Sequence, residues 1–302
     1  MELGYTVAMD MSASHFAGEL RRELCARNAV YAVENRLTHV PSYGEVPVTV
    51  YAPEVDGLRH GNFYAASYRA IVKREEWARR LKKVHAQGRT SLPRTERRWR
   101  ELDSCTSSDA LLMNVFCCPG VSTSKSIAGI LGTETSDVPE FGYRARVVLK
   151  PRLSASNMPL RSRKTATQRF DRTEVDMRLG QLLVESKLTE SNFQTAPALL
   201  VEDYRDLAEV FDVASLPRGN ERYLSYQLIR NVLAAYSVNS SFCVMLDARR
   251  PDLLESWHAI MSCVWPAELR TRCKVLTWQE LSSALPPGLR KFLEVKYGIV
   301  AV

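Results

Sequence analysis

FDRTEVDMRLGQLLVESKLTE, residues Phe170 to Glu190, is the stretch whose reading decides the fold. Val175 and Met177 on one side, and Leu182, Leu183 and Val184 on the other, form two short apolar-rich runs around Arg178-Leu179-Gly180-Gln181. A Gly-X pair between such runs is a β-hairpin signal. With Gly180-Gln181 as a two-residue loop, Leu179 faces Leu182, Asp176 faces Glu185 and Glu174 faces Lys187. Side chains alternate along a strand, so Glu174, Asp176, Glu185 and Lys187 are expected on one face. Val175, Met177, Val184 and Ser186 are expected on the other. Directly opposed residues lie roughly 5 Å apart, and two facing carboxylates repel unless a cation stands between them.

Magnesium takes oxygen ligands and is usually held by one or two carboxylates, with waters and substrate phosphate completing its shell. Asp176 and Glu185 are therefore candidate metal ligands, and the Ser186 carbonyl could add a third protein oxygen. Lys187, two residues on, would orient or deprotonate an attacking water, or offset charge developing on a phosphate. The plainer reading is a surface hairpin with a Glu174–Lys187 cross-strand ion pair, worth at most about 1 kcal/mol. A second acid-x-Lys triplet, Glu294-Val295-Lys296, lies in the helical-looking Leu289–Tyr297 and has no hairpin acid opposite it.

The arrangement resembles the PD-(D/E)XK nuclease superfamily, in which an acid and a (D/E)xK triplet lie on neighbouring strands. More narrowly, SSDALLMNVF (Ser107–Phe116), VESKLTE (Val184–Glu190) and YQLIRN (Tyr226–Asn231) resemble a group of restriction endonucleases of unassigned specificity. The resemblance runs from about Cys105 to the C-terminus. It implies an α/β fold: a restriction-endonuclease-like core with a small mixed sheet flanked by helices, here with an N-terminal α+β elaboration. It also implies that Asp176, Glu185 and Lys187 are the metal-binding and water-activating residues, with magnesium as cofactor and manganese able to substitute. Val175 stands where the motif's name puts proline, and Asp109 where the narrower group leads one to expect an amide. Glu174, Glu190, Gln227 and Asp109 are candidates for supporting roles around the metal.

The order of elements agrees with that fold. Tyr143–Leu149 reads as a strand before the hairpin, Tyr223–Tyr236 as a helix after it, and Ser241–Leu246 as a buried strand. Leu253–Val264 adds a helix, Cys273–Thr277 an edge strand and Leu289–Tyr297 a closing helix. In the first hundred residues, Phe16–Val33 reads as helix and Val48–Tyr51 as strand. Glu75–Lys83 reads as an amphipathic helix with Trp77 and Leu81 inward. His60-Gly61-Asn62-Phe63 is a polar–aromatic cluster, and a lone histidine there is assigned no role. The expected division is an accessory region over 1–104 and a nuclease-like core over 105–302.

The net charge of +7 is unevenly spread. Ile71–Arg100 holds eleven Lys or Arg against three Glu, more than the excess of the whole chain. A second basic stretch, Lys150–Arg172, reads as a loop leading into the acid-bearing strand. Arg161, Arg163, Lys164, Arg169 and Arg172, with Lys82 and Lys83, are thus candidates for nucleic-acid contact, DNA being the expected substrate by analogy with the fold.

Seven scattered cysteines without a CxxC pair suit neither a disulfide framework nor a zinc or iron–sulfur site, and read as free thiols in a reducing cytoplasm. No run of about 18 apolar residues predicts a membrane span, and the N-terminus makes a poor signal peptide. Phosphate-loop, nucleophile-elbow and zincin motifs are missing. The expectation is a magnesium-dependent endonuclease, a homodimer if it cuts in the restriction manner. The competing expectations are a nucleic-acid-binding protein without turnover, and a structural protein whose hairpin acids are surface charges.

Overall fold

A computed structural model describes residues 3–42, 47–83, 100–151 and 168–302, with side chains from His15 onward. Arg161, Arg163 and Lys164, like the basic residues at 89–98, lie outside the described residues. The centre is a five-stranded mixed sheet of β1 (Pro139–Arg144), β2 (Glu174–Leu179), β3 (Leu182–Ser186), β4 (Ser241–Leu246) and β5 (Cys273–Thr277), in the order β5-β4-β3-β2-β1. β1, β2 and β3 pair antiparallel, whereas β4 is parallel to both β3 and β5. This is the α/β restriction-endonuclease-like architecture expected from the element order.

The hairpin forms with the expected register, Leu179 opposite Leu182 and Met177 opposite Val184. Gly180 takes φ +56° at the first loop position, and a Cβ there would stand 2.1 Å from Asp137 Oδ2. Both the turn and the close approach therefore require glycine. β3 is buried along its whole length, because its apolar run lies at the centre of a sheet covered on both faces.

One face is covered by α3 (Tyr226–Ser237) and α4 (Pro251–Met261), whose Leu228, Val232, Trp257 and Ile260 pack with Leu183, Phe242 and Val244. The other is covered by α1 (Leu3–Glu34), α2 (Ser108–Phe116) and α5 (Pro287–Tyr297), which meet Met177, Leu179, Leu182, Val184 and Met245. α2 begins at Ser107, whose hydroxyl accepts the Ala110 N–H at 3.1 Å, and all of its residues are buried.

Three sequence expectations are corrected. Tyr143–Leu149 is two strands: β1 ends at Arg144, and Val147–Leu149 pairs with Arg169–Asp171 in a separate two-stranded sheet. The break follows from where the backbone finds partners, since Arg205 and Lys150 N–H groups bond to Val148 and Asp203 carbonyls rather than to the main sheet. The same pairing makes Arg169–Asp171 a strand rather than loop. Finally, Val175 does not share the Met177–Val184 side. It packs with Leu183, because the β2–β3 ladder stops at Met177–Val184 and the strands separate beyond it.

Helix α1 is clasped to α5. Asn28 donates to the Leu24 and Lys296 carbonyls at 2.8 and 3.0 Å, while the fully buried Lys296 ammonium donates to Asn28 Oδ1 and lies 3.9 Å from the Tyr51 ring centre. The second acid-x-Lys triplet thus ends in a packing residue. All seven cysteines are free, and no described helix is long and apolar enough to cross a membrane.

Burial lowers the Lys296 pKa to about 7 from an ordinary 10.5, partly offset by Cys105. Between those values the unfolded chain binds the extra proton, so this residue makes the fold more stable as pH rises from 7, by up to about 1.4 kcal/mol per unit. Below pH 7 the cost is fully present. Urea unfolding of the parent and Lys296→Met at pH 7, 8 and 9 is expected to show the parent gaining on the variant. A constant difference across that range would mean that the amine is charged and compensated at every pH.

Candidate active site

Three elements bring acids to the edge of the sheet where β2 and β3 separate. Asp176 is the third residue of β2, Glu185 lies near the end of β3, and Asp109 sits in the first turn of α2. With no ladder partner beyond Met177–Val184, the Ser186 N–H donates to Asp176 Oδ2 at 2.8 Å. Asp176 is half-buried, and Glu185 and Lys187 are buried.

Lys187 donates to Glu185 Oε1 at 2.7 Å, and Asn231 of α3 donates to Glu185 Oε2 at 2.8 Å. Arg230 in turn fixes the Asn231 amide, donating to its Oδ1 at 2.7 Å from Nη2 and to the Glu174 carbonyl at 2.9 Å. The Lys187 backbone is pinned on both sides: its N–H donates to Met245 O at 2.8 Å, and its carbonyl accepts from Trp278 at 3.2 Å. The following loop is braced by Arg250, which donates to the Leu188 carbonyl at 3.0 Å and is locked by Asp252. Glu190 accepts from the Leu188 N–H at 2.7 Å and from the Ser108 hydroxyl, which ties that loop to α2.

The electrostatics of the acids differ. Desolvation, followed by the neighbouring charges of Glu185 and Asp109, pushes Asp176 well above the usual carboxylate range. Burial would likewise raise Asp109, but Arg80 and Lys83 outweigh it and hold Asp109 below its ordinary value. Burial would lower Lys187, and Glu185, Glu190 and Asp176 outweigh that and raise it, so the lysine is held as an ammonium.

Asp176, Glu185 and Lys187, taken from the hairpin pattern, are therefore brought together. Glu174 is not paired with Lys187. It binds Arg80 and lies 3.9 Å from Lys83, because the strands have separated and Lys187 turns to Glu185. Gln227 lies in the first turn of α3 with its backbone N–H on the Phe193 carbonyl at 2.9 Å, and the helix reaches Glu185 through Asn231 one turn later.

Among the basic candidates, Arg169 pairs with Asp203 at 3.0 Å, and Lys83 is engaged by Asp109 and Glu101 at 2.7 and 3.1 Å. Arg172 and Lys82 are exposed. Sequence reasoning missed Arg80 as well as Arg230, Asn231 and Arg250. YQLIRN carried two of them, and the helical spacing of Trp77 and Leu81 sets Arg80 beside the inward face.

The donor set suits a hard divalent cation. A carboxylate that burial and like charges have pushed upward is relieved by a cation beside it. Two oxygen-bearing acids would leave the remaining positions of a magnesium ion to water and substrate. Among the described residues no group of three or more His, Cys, Asp or Glu side chains is placed to hold a metal ion, so an all-protein cage is not what these residues build.

A family model described as Restriction Endonuclease associating with ARP matches residues 26–298. Neither a curated protein nor a solved structure matches the chain.

Replacing Asn231 by Leu strips Glu185 Oε2 and Arg230 of a buried partner. The expected loss is about 1–3 kcal/mol in urea unfolding. A loss below about 0.5 kcal/mol, the scale of a neutral surface change, would mean that Glu185 does not depend on this amide.

Proposed function

Because the chain belongs to the restriction-endonuclease family matched over residues 26–298, we propose that it is a metal-dependent nuclease that hydrolyses phosphodiester bonds in DNA. The observation that carries this reading is the placement of Asp176 beside the Glu185–Lys187 ion pair at the open end of the β2–β3 ladder. It is the constellation expected from the resemblance to the PD-(D/E)XK superfamily. Asp176 and Glu185 are the proposed ligands, with magnesium the expected ion and manganese a substitute. The ion, when bound, would supply Lewis-acid stabilisation of a phosphate oxygen and acidify a bound water.

The side chains divide the remaining work. Glu185 cannot swing away, because Lys187 and Asn231 hold its two oxygens from different elements. Asp176 is fixed by the Ser186 N–H, so both carboxylates are pre-organised before substrate arrives. Lys187 is a poor proton acceptor while it remains an ammonium. Its proposed role is to orient the attacking water and offset negative charge on the phosphate, rather than to deprotonate that water. Its Nζ lies 5.6 Å from the Phe193 ring centre, and the face of that ring attracts the ammonium. Arg172, exposed and two residues before β2, is a proposed contact for the phosphate backbone.

The test is cleavage of supercoiled plasmid, linear duplex, single-stranded DNA and RNA with Mg²⁺ or Mn²⁺, run beside Asp176→Asn and Lys187→Met. Duplex cutting by the parent is expected, abolished by EDTA and reduced at least about 100-fold in each variant. Salt-sensitive DNA binding with no cutting under any metal would transfer the protein to the binding-without-turnover reading. Equal cutting by all three proteins would remove these residues from the chemistry.

A further inference from the structure

The acids beside Asp176 outnumber those that one magnesium ion needs. Glu174 lies two residues before Asp176 on β2, and Asp109 of α2 follows Ser108, whose carbonyl accepts the Ser186 hydroxyl at 3.2 Å at the end of β3. Phosphodiester-cleaving centres that use two ions place them about 3.5–4 Å apart between shared carboxylates, and four acids would suit such a pair. Here the space between Asp109 and Glu174 is already filled.

Arg80 bridges them: Nη2 donates to both Asp109 oxygens, at 3.1 and 2.9 Å, and Nη1 donates to Glu174 Oε1. Lys83 adds a second charge, 2.7 Å from Asp109 Oδ2. The arrangement is built into the sheet. β1 runs beside β2, and its Gly142 has φ +70°; a Cβ there would stand 2.5 Å from Arg80 Nη1 and 3.1 Å from Glu174 Oε2. A side chain at residue 142 would thus collide with the guanidinium. Arg80 is only 9% exposed, and its buried Nε–H has no hydrogen-bond partner among the described residues. Charge on the two acids, rather than a complete set of hydrogen bonds, holds it in place.

We propose that Arg80 occupies the position of a second cation, so that the protein supplies a fixed guanidinium where a two-ion nuclease holds its other metal, and that the centre takes one divalent ion. This inference rests on the proposed nuclease reading. Asp109 and Glu174 are spent on Arg80 and Lys83, which leaves Asp176 and Glu185 for the single ion. A guanidinium cannot be lost to dilution or chelation, and it cannot acidify a water. Arg80 is therefore a positioning residue, one that holds Asp109 and Glu174 together.

The experiment counts Mn²⁺ ions per chain by calorimetry and by electron paramagnetic resonance, independently of activity. The parent is expected to bind one Mn²⁺, lost in Asp176→Asn. Arg80→Met is expected to bind two, Arg80→Lys one, and Arg80→Met with Asp109→Asn one. Circular dichroism checks that each variant is folded.

If Arg80→Met does not fold, Arg80→Ala purified with methylguanidinium replaces it. Exchange into Mn²⁺ should then admit a second ion as the guanidinium leaves. A folded Arg80→Met that still takes one ion, or an Arg80→Ala that Mn²⁺ cannot keep folded, overturns the inference and leaves the nuclease reading standing. So does a parent that binds two ions. A parent that binds no Mn²⁺, or binds it unchanged in Asp176→Asn, overturns the metal reading and this inference with it.

Discussion

The desolvated carboxylate of Asp176 is the constraint on which the rest of the structure depends. An acid in this position, with Glu185 and Asp109 nearby, is unfavourable as an anion unless positive charge is supplied close by. The surrounding elements can be understood as answers to that problem. Lys187 sets an ammonium on Glu185, and Arg80 and Lys83 set cations on Asp109. The strands separate just where their acids would otherwise be pressed together, and the Ser186 N–H released by that separation goes to Asp176. Buried charge networks of this kind are poor sources of stability. Their presence across four elements argues for a use other than holding the fold together.

How much of this was legible in the sequence depends on distance along the chain. The hairpin register was readable because a glycine turn and two apolar runs are local, and the β3 and β4 strands because buried strands are short and apolar. The grouping of Asp176, Glu185 and Lys187 followed from that register. Face assignment failed at Val175, where the ladder ends and strand parity stops governing direction. The division of residues 143–149 into two strands was decided by contacts with residues 203–205, which no local pattern encodes. The Glu174–Lys187 pair failed for the same reason: Arg80, 94 residues from Glu174, and Glu185, beside Lys187, are the better partners. Asp109 was suspected, but the cations that give it meaning come from a segment read only as basic and amphipathic.

The back of the site is as fixed as its front. Ser186 and Glu190 tie the strand end and its loop to α2, Trp278 and Met245 hold the Lys187 backbone, and Arg250 is fully buried beneath the loop. Each is a hydrogen bond to main chain or to a neighbour of a reacting group. Rigid supports of this kind keep short-range electrostatics effective, since a displacement of about 1 Å in a reacting centre is costly.

Asp176 and Glu185 are nine residues apart, whereas the groups that steady the site arrive from far along the chain. Asn231 lies 46 residues beyond Glu185, and Arg250 lies 62 beyond Leu188. The antiparallel β2–β3 hairpin closes a two-residue loop, but the parallel pairing of β4 against β3 must wait for α3 to cross over. A chain still emerging during synthesis can therefore form the hairpin while its acids remain unbraced. The order of assembly then has a consequence for the proposed site: it becomes rigid only when the last third of the protein has docked.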